Sequence, residues 1–121
     1  MSKTRKINDT KIIAIAKECA RLMDEKKALD ILVLNLMEIN SYLDYFIIST
    51  GNSFIHCRSL AREVQGYFKN IGLKERTKPA LDTSWIILDY NEIVIHIFTH
   101  ESREFYQLEK LWADAIQIGI S

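Results

Sequence analysis

The 121-residue chain predicts an α/β protein, more narrowly α+β: a mixed β-sheet flanked by helices. Two short apolar runs, Leu29 to Leu36 and Tyr45 to Thr50, are rich in Ile and Val in the way of strands buried on both sides. Three other stretches repeat apolar residues at intervals of three and four, as helices do. Finally, the segment from Trp85 to Phe98 sorts its side chains into two unlike faces if Asn91 and Glu92 form a two-residue hairpin turn. The order is then helix, two strands, helix, two or three strands, helix, with a crossover from the second strand through the middle helix to the hairpin.

Each element has its own signal. In the first helix Ile12, Ile13, Ala16, Cys19, Ala20 and Met23 share a face, Asn8, Asp9 or Thr10 supplies the N-cap, and the helix ends near Lys27. Asn40, Ser41 and Asp44 bring loop chemistry between the two buried strands, and Gly51-Asn52-Ser53 ends the second strand where a helix begins. That helix turns Cys57, Leu60, Ala61, Val64, Phe68 and Ile71 inward, turns Arg58, Arg62, Glu63 and Lys69 to solvent, and stops at Gly72. Lys74 to Lys78 reads as a polar edge strand or a connector, and Pro79 to Ser84 as a loop.

The hairpin pairs Tyr90 with Ile93, Leu88 with Ile95 and Ile86 with Ile97, a wholly apolar face that must be core. Its other face carries Trp85, Ile87, Asp89, Val94, His96 and Phe98, too apolar to be left wet. The last helix, capped by Ser102 with Glu101 and Glu104 favourable to its dipole, seats Phe105, Leu108, Leu111 and Trp112 on that face. It covers only part of the surface, which leaves room for a second protein. Tyr106, Glu109 and Lys110 lie on its other flank, where Tyr106 serves either as a contact anchor or as a shield for the sheet edge. Ile116 to Ser121 either lengthens this helix or supports self-association.

Composition narrows the function. One compact domain over residues 1–121 is expected, since no segment is biased enough for a linker or for disorder. Sixteen basic residues balance sixteen acidic ones, so neither specific nucleic-acid binding nor attraction to an anionic membrane is expected. Cys19 and Cys57 lack CxxC spacing, and no apolar segment follows the basic start at Met1 to Lys6; free thiols in a cytoplasmic protein are the expectation.

Motifs for chemistry are weak. Ser49-Thr50-Gly51-Asn52-Ser53 joins a strand to a helix N-terminus and reads either as a capped turn or as an anion site, without the pattern of a P-loop. Nucleotidyl transfer requires a strand-borne carboxylate pair, and Asp30 and Asp89 offer one per strand. His96 and His100 do not share a helical face, so no metal is expected. His56 and Cys57 point about 100° apart on their helix, which separates them as a nucleophile and base. His96 beside Asp89 reads as a locally satisfied buried histidine or as a ring oriented by a carboxylate.

From about Lys27 to Trp112 the chain resembles the ribosomal silencing factor family, also called the Iojap family. The carriers are Ala28-Leu29-Asp30-Ile31, Asp44-Tyr45-Phe46-Ile47-Ile48, Thr50-Gly51-Asn52-Ser53 and His56-Cys57-Arg58-Ser59-Leu60-Ala61. Trp85 to Tyr90, Val94 to Phe98 and Glu101 to Trp112 complete them. The resemblance implies a nucleotidyltransferase-like fold without catalytic carboxylates, hence no enzyme, no cofactor and no catalytic residue. It implies binding to the large ribosomal subunit through a ribosomal protein on its subunit-joining face, the fourteenth of the large-subunit series. A factor bound there obstructs the small subunit and lowers translation when nutrients are scarce. The positions matching the partner-binding segment are Trp85, Asp89, Tyr106, Leu108, Glu109, Lys110 and Trp112. Two other readings stand beside this one: a nucleotide-binding or nucleotidyltransferase-like enzyme, and a homodimeric scaffold.

Overall fold

The structure, a computed structural model, describes residues 9–39 and 44–119. Its elements are α1 (Asp9–Glu25), β1 (Leu29–Asn35), β2 (Tyr45–Gly51), α2 (Phe54–Asn70), β3 (Trp85–Asp89), β4 (Ile93–Thr99), α3 (His100–Tyr106), α4 (Leu108–Leu111) and β5 (Ile116–Ile118). The five strands form one mixed sheet in the order β3-β4-β2-β1-β5. Only the β2–β4 pair is parallel, and it requires the crossover through α2. Both apolar runs are interior strands, as expected, and every residue of β2 is buried.

One face of the sheet is covered by α1 and α2. Ile12, Ala16, Cys19, Met23, Leu60, Val64 and Phe68 meet Val33, Ile47, Ile86, Leu88, Ile95 and Ile97 in the larger core cluster. The hairpin has the predicted register, with Ile86 opposite Ile97 and Leu88 opposite Ile95, and Tyr90 N–H donates to the Ile93 carbonyl at 2.9 Å. Asn91 alone takes the left-handed position in the turn (φ 76°), which its short polar side chain tolerates. On the far side of the sheet a smaller cluster gathers Leu34, Leu36, Phe46, Ile48 and Phe98 under Trp85, Leu108, Trp112 and Ala115.

Several expectations need correction. The last helix is two helices: Gln107 adopts a left-handed conformation (φ 47°, ψ 49°) that ends α3 and rotates the start of α4. Leu108 and Trp112 therefore reach the sheet, whereas Phe105 and Leu111 face solvent at 78% and 73% exposure. Thr99, not Ser102, caps α3; its hydroxyl accepts from the Ser102 N–H, and Ser102 itself is buried inside the first turn. The tail does not lengthen a helix, because Ile116–Ile118 pairs antiparallel with β1. Residues 120 and 121 lie outside the described part.

Ile71 does not face inward but forms the C-cap of α2, with Gly72 behind it at φ 80°. Lys74 to Lys78 is a connector, tied to the edge of β3 by Arg76 N–H donating to the Asp89 carbonyl at 2.8 Å. The expected cap at Asn8 and the loop residues Asn40 and Ser41 also lie outside the described residues, and Asp9 and Thr10 fall within α1. Among the described residues no helix is long and apolar enough to cross a membrane.

Candidate functional site: an aromatic ledge beside the closing helices

Alternation along β3 and β4 sends Trp85, Ile87 and Asp89, with Val94, His96 and Phe98, to the face away from α1 and α2. From there a series of rings runs outward. Phe46 lies 4.4 Å from His96 between ring centroids, His96 lies 5.9 Å from Trp85, and Trp85 lies 4.7 Å from Tyr106. Tyr106 in turn meets Phe105 edge-on at 4.9 Å. Phe46 and His96 are buried, at 7% and 5% exposure, and from there burial falls to Tyr106 at 51% and Phe105 at 78%. Phe98 stacks on Trp85 at 4.9 Å and backs the ledge from inside the sheet.

The expected partner-binding residues divide into groups. Trp85 and Tyr106 are in contact, and Leu108 and Trp112 pack on the same side of the sheet. Glu109 is held by Arg103, whose Nε donates to it at 3.1 Å while Nη1 donates to Thr50 Oγ1 at 2.9 Å. Lys110 lines a shallow polar cavity of about 290 Å³ together with Asp30, Thr50, Arg103 and Gln107. Asp89 is not brought to the others. It sits at the far end of β3, about 13 Å from Trp85 by strand rise, where its carboxylate accepts the Asn91 N–H at 2.9 Å and faces Arg76 at 4.0 Å.

His96 is not oriented by Asp89. Across the hairpin it stands opposite Ile87, and its Nδ1 accepts the Trp85 indole N–H at 3.0 Å. Burial alone lowers its pKa to about 3, so the ring is neutral at ordinary pH. His56 is likewise occupied: Asn52 N–H donates to its Nδ1 at 2.9 Å, and its Nε2 donates to the Lys26 carbonyl at 2.8 Å. Its neighbour Cys57 turns to the Phe98 carbonyl at 3.5 Å, and burial pushes that thiol up. At the strand-to-helix turn, Ser53 caps α2 by accepting the His56 N–H.

Asp30 and Asp89 stand on strands separated by two others, about 14 Å across the sheet, and at opposite ends of it. A two-metal centre needs carboxylates that reach ions about 4 Å apart, and these two do not. Among the described residues no three His, Cys, Asp or Glu side chains gather as a metal site.

Sequence periodicity missed two features of this region. Phe105 and Leu111 are exposed because the helix breaks at Gln107, a residue type that gives no warning of a left-handed conformation. Arg103 lies inside the motif Glu101 to Trp112, yet its reach to Thr50, 53 positions back, is purely tertiary.

Fold and site together define an α+β protein that carries an aromatic ledge on one face of a mixed five-stranded sheet, bordered by two short helices. The chain belongs to the ribosomal silencing factor family: the model described as "Ribosomal silencing factor during starvation" matches residues 9–121. It is 36% identical over 103 residues to ribosomal silencing factor RsfS of Bacillus subtilis, covering 84% of this chain and 87% of that one. It is 33% identical over 97 residues to the mouse protein named mitochondrial assembly of ribosomal large subunit protein 1, covering 75% of this chain and 42% of the relative. Among solved structures, a Chromobacterium violaceum protein superposes with a TM-score of 0.78 at 25% identity, over 88% of each chain.

Proposed function

We propose that the chain is a non-catalytic translation repressor acting in the cytoplasm as one unit over residues 1–121. It docks on the large ribosomal subunit, through the fourteenth large-subunit protein on the joining face, and excludes the small subunit sterically. The observation that carries this reading is the exposure of the ledge. Tyr106 and Phe105 present aromatic surface to solvent while Trp85, braced by Phe98, holds Tyr106 from behind. Exposed rings braced by a rigid sheet are the usual anchors of a protein interface of roughly 800 Å² per partner.

Supporting observations come from charge and family. A chain of zero net charge has no net positive field with which to seek ribosomal RNA, so a protein partner suits it better. The name of the mouse relative refers to the ribosomal large subunit. Separation of Asp30 from Asp89 argues against a nucleotidyltransferase-like enzyme. Within the docking surface Trp85, Tyr106, Leu108, Glu109, Lys110 and Trp112 form one side. Asp89 contributes only if the partner extends along the whole of β3.

The test is co-sedimentation of the purified protein with isolated large subunits. Tyr106→Ala and Trp85→Ala, each checked for an intact fold, should weaken binding by about 2 kcal/mol. Asp89→Ala should weaken it less. Retention of full affinity by both aromatic variants places the interface elsewhere.

A further inference from the structure

The orientation of Trp85 depends on one directional contact. Its ring neighbours Phe98 and Tyr106, at 4.9 and 4.7 Å, confine the plane of the indole but do not set its rotation. The indole N–H can only donate, and it meets His96 Nδ1 at 3.0 Å. Nδ1 is therefore the accepting nitrogen, and the ring proton sits on Nε2, which is buried without a hydrogen-bond partner. Nε2 lacks a partner in either tautomer, and a proton on Nδ1 would face the indole N–H, so the tautomer with the proton on Nε2 is favoured by the Trp85 contact alone. It is the one that holds Trp85.

We propose that His96 is a positioning residue of the docking face: its Nδ1 locks the Trp85 indole, and through it the exposed Tyr106 ring, in the arrangement a partner protein contacts. The inference rests on the docking reading above and deepens it. His96 belongs to β4, an interior strand, so the acceptor is fixed by the sheet and not by a loop. An aromatic anchor ordered before association avoids the cost of being ordered during it, which is worth roughly two- to tenfold in affinity.

The experiment combines nitrogen-15 spectra of the full chain with binding to isolated large subunits. In the unmodified protein, His96 Nδ1 should resonate as an unprotonated acceptor and the Trp85 indole N–H should exchange slowly with water. His96→Phe retains a ring but removes the acceptor. It should speed that exchange and weaken binding about fivefold, whereas His96→Asn, whose Oδ1 falls near the lost Nδ1, should recover most of the affinity. On a Trp85→Ala background His96→Phe should add nothing, because it acts only through the indole. A proton found on Nδ1, or an equal loss from His96→Phe with and without Trp85, overturns the inference and leaves the docking reading intact. Full binding by Trp85→Ala with a loss in Tyr106→Ala overturns this inference and leaves the docking reading intact, whereas full binding by both variants overturns both. Should His96→Phe fail to fold, the spectrum of the unmodified protein and the Asn variant still decide.

Discussion

Gly51 and Cys57 approach so closely that a Cβ on Gly51 would stand 2.6 Å from the Cys57 Sγ and 3.1 Å from its backbone nitrogen. The last residue of β2 thereby touches the first turn of α2, and the strand-to-helix corner has no room for a side chain. Part of the obstruction is backbone, so rotating the thiol does not relieve it. Gly51→Ala is expected to lower stability by about 2 kcal/mol through overpacking, read as a shift of the urea midpoint without a change in slope.

Acid should unfold the protein partly through His96. Its folded pKa, near 3, lies below the ordinary 6.5, so the unfolded chain binds the proton more readily. The associated stability is complete above pH 6.5 and is lost as pH falls from there toward 3. Between pH 7 and pH 5 the contribution is about 2 kcal/mol at roughly 1.4 kcal/mol per unit. Urea titrations at the two pH values should show that loss in the unmodified protein and a smaller one in His96→Asn. Equal losses in both would mean that the ring is not buried and neutral.

Leu108 and Leu111, three residues apart, should respond unequally to truncation. Leu108 packs with Phe46 and Trp112 on the sheet, and Leu108→Ala should cost about 2 kcal/mol of stability. Leu111 is 73% exposed, and Leu111→Ala should change stability by less than about 0.5 kcal/mol. Comparable effects would indicate one continuous helix and no break at Gln107.

Gln107 holds a conformation that costs an L-residue about 1 kcal/mol or more. Gln107→Gly should therefore raise stability by about 0.5 kcal/mol, after the extra entropy of glycine in the unfolded chain is subtracted. Gln107→Val, whose branched Cβ crowds the left-handed region, should lower it by more than 1 kcal/mol on the same order-of-magnitude scale. Thermal or urea unfolding of the two variants checks the sign of each.

Local pattern sufficed for most of the architecture. Both buried strands, the two long helices and the register of the hairpin follow from periods of two and 3.6, and those periods are imposed by backbone geometry that each residue carries with it. The Tyr90-Asn91-Glu92-Ile93 turn was legible because Asn accepts the left-handed position that the turn requires. The aromatic and polar membership of the second hairpin face was legible for the same reason.

What that face does with its side chains was settled only by the assembled fold. His96 turned to Trp85 instead of Asp89 because opposite positions on the hairpin pair it with Ile87, and the nearest donor in reach is the indole. The closing helix broke at Gln107 because Arg103 is tied to Thr50 and Glu109 while the tail must return to pair with β1. Such ties join residues far apart in the chain, and no period in the sequence encodes them. The amino-acid order determined which residues face each way within an element; the packing of elements decided which of those faces were covered and which side chains met, since contact between distant segments is a property of three-dimensional closure alone.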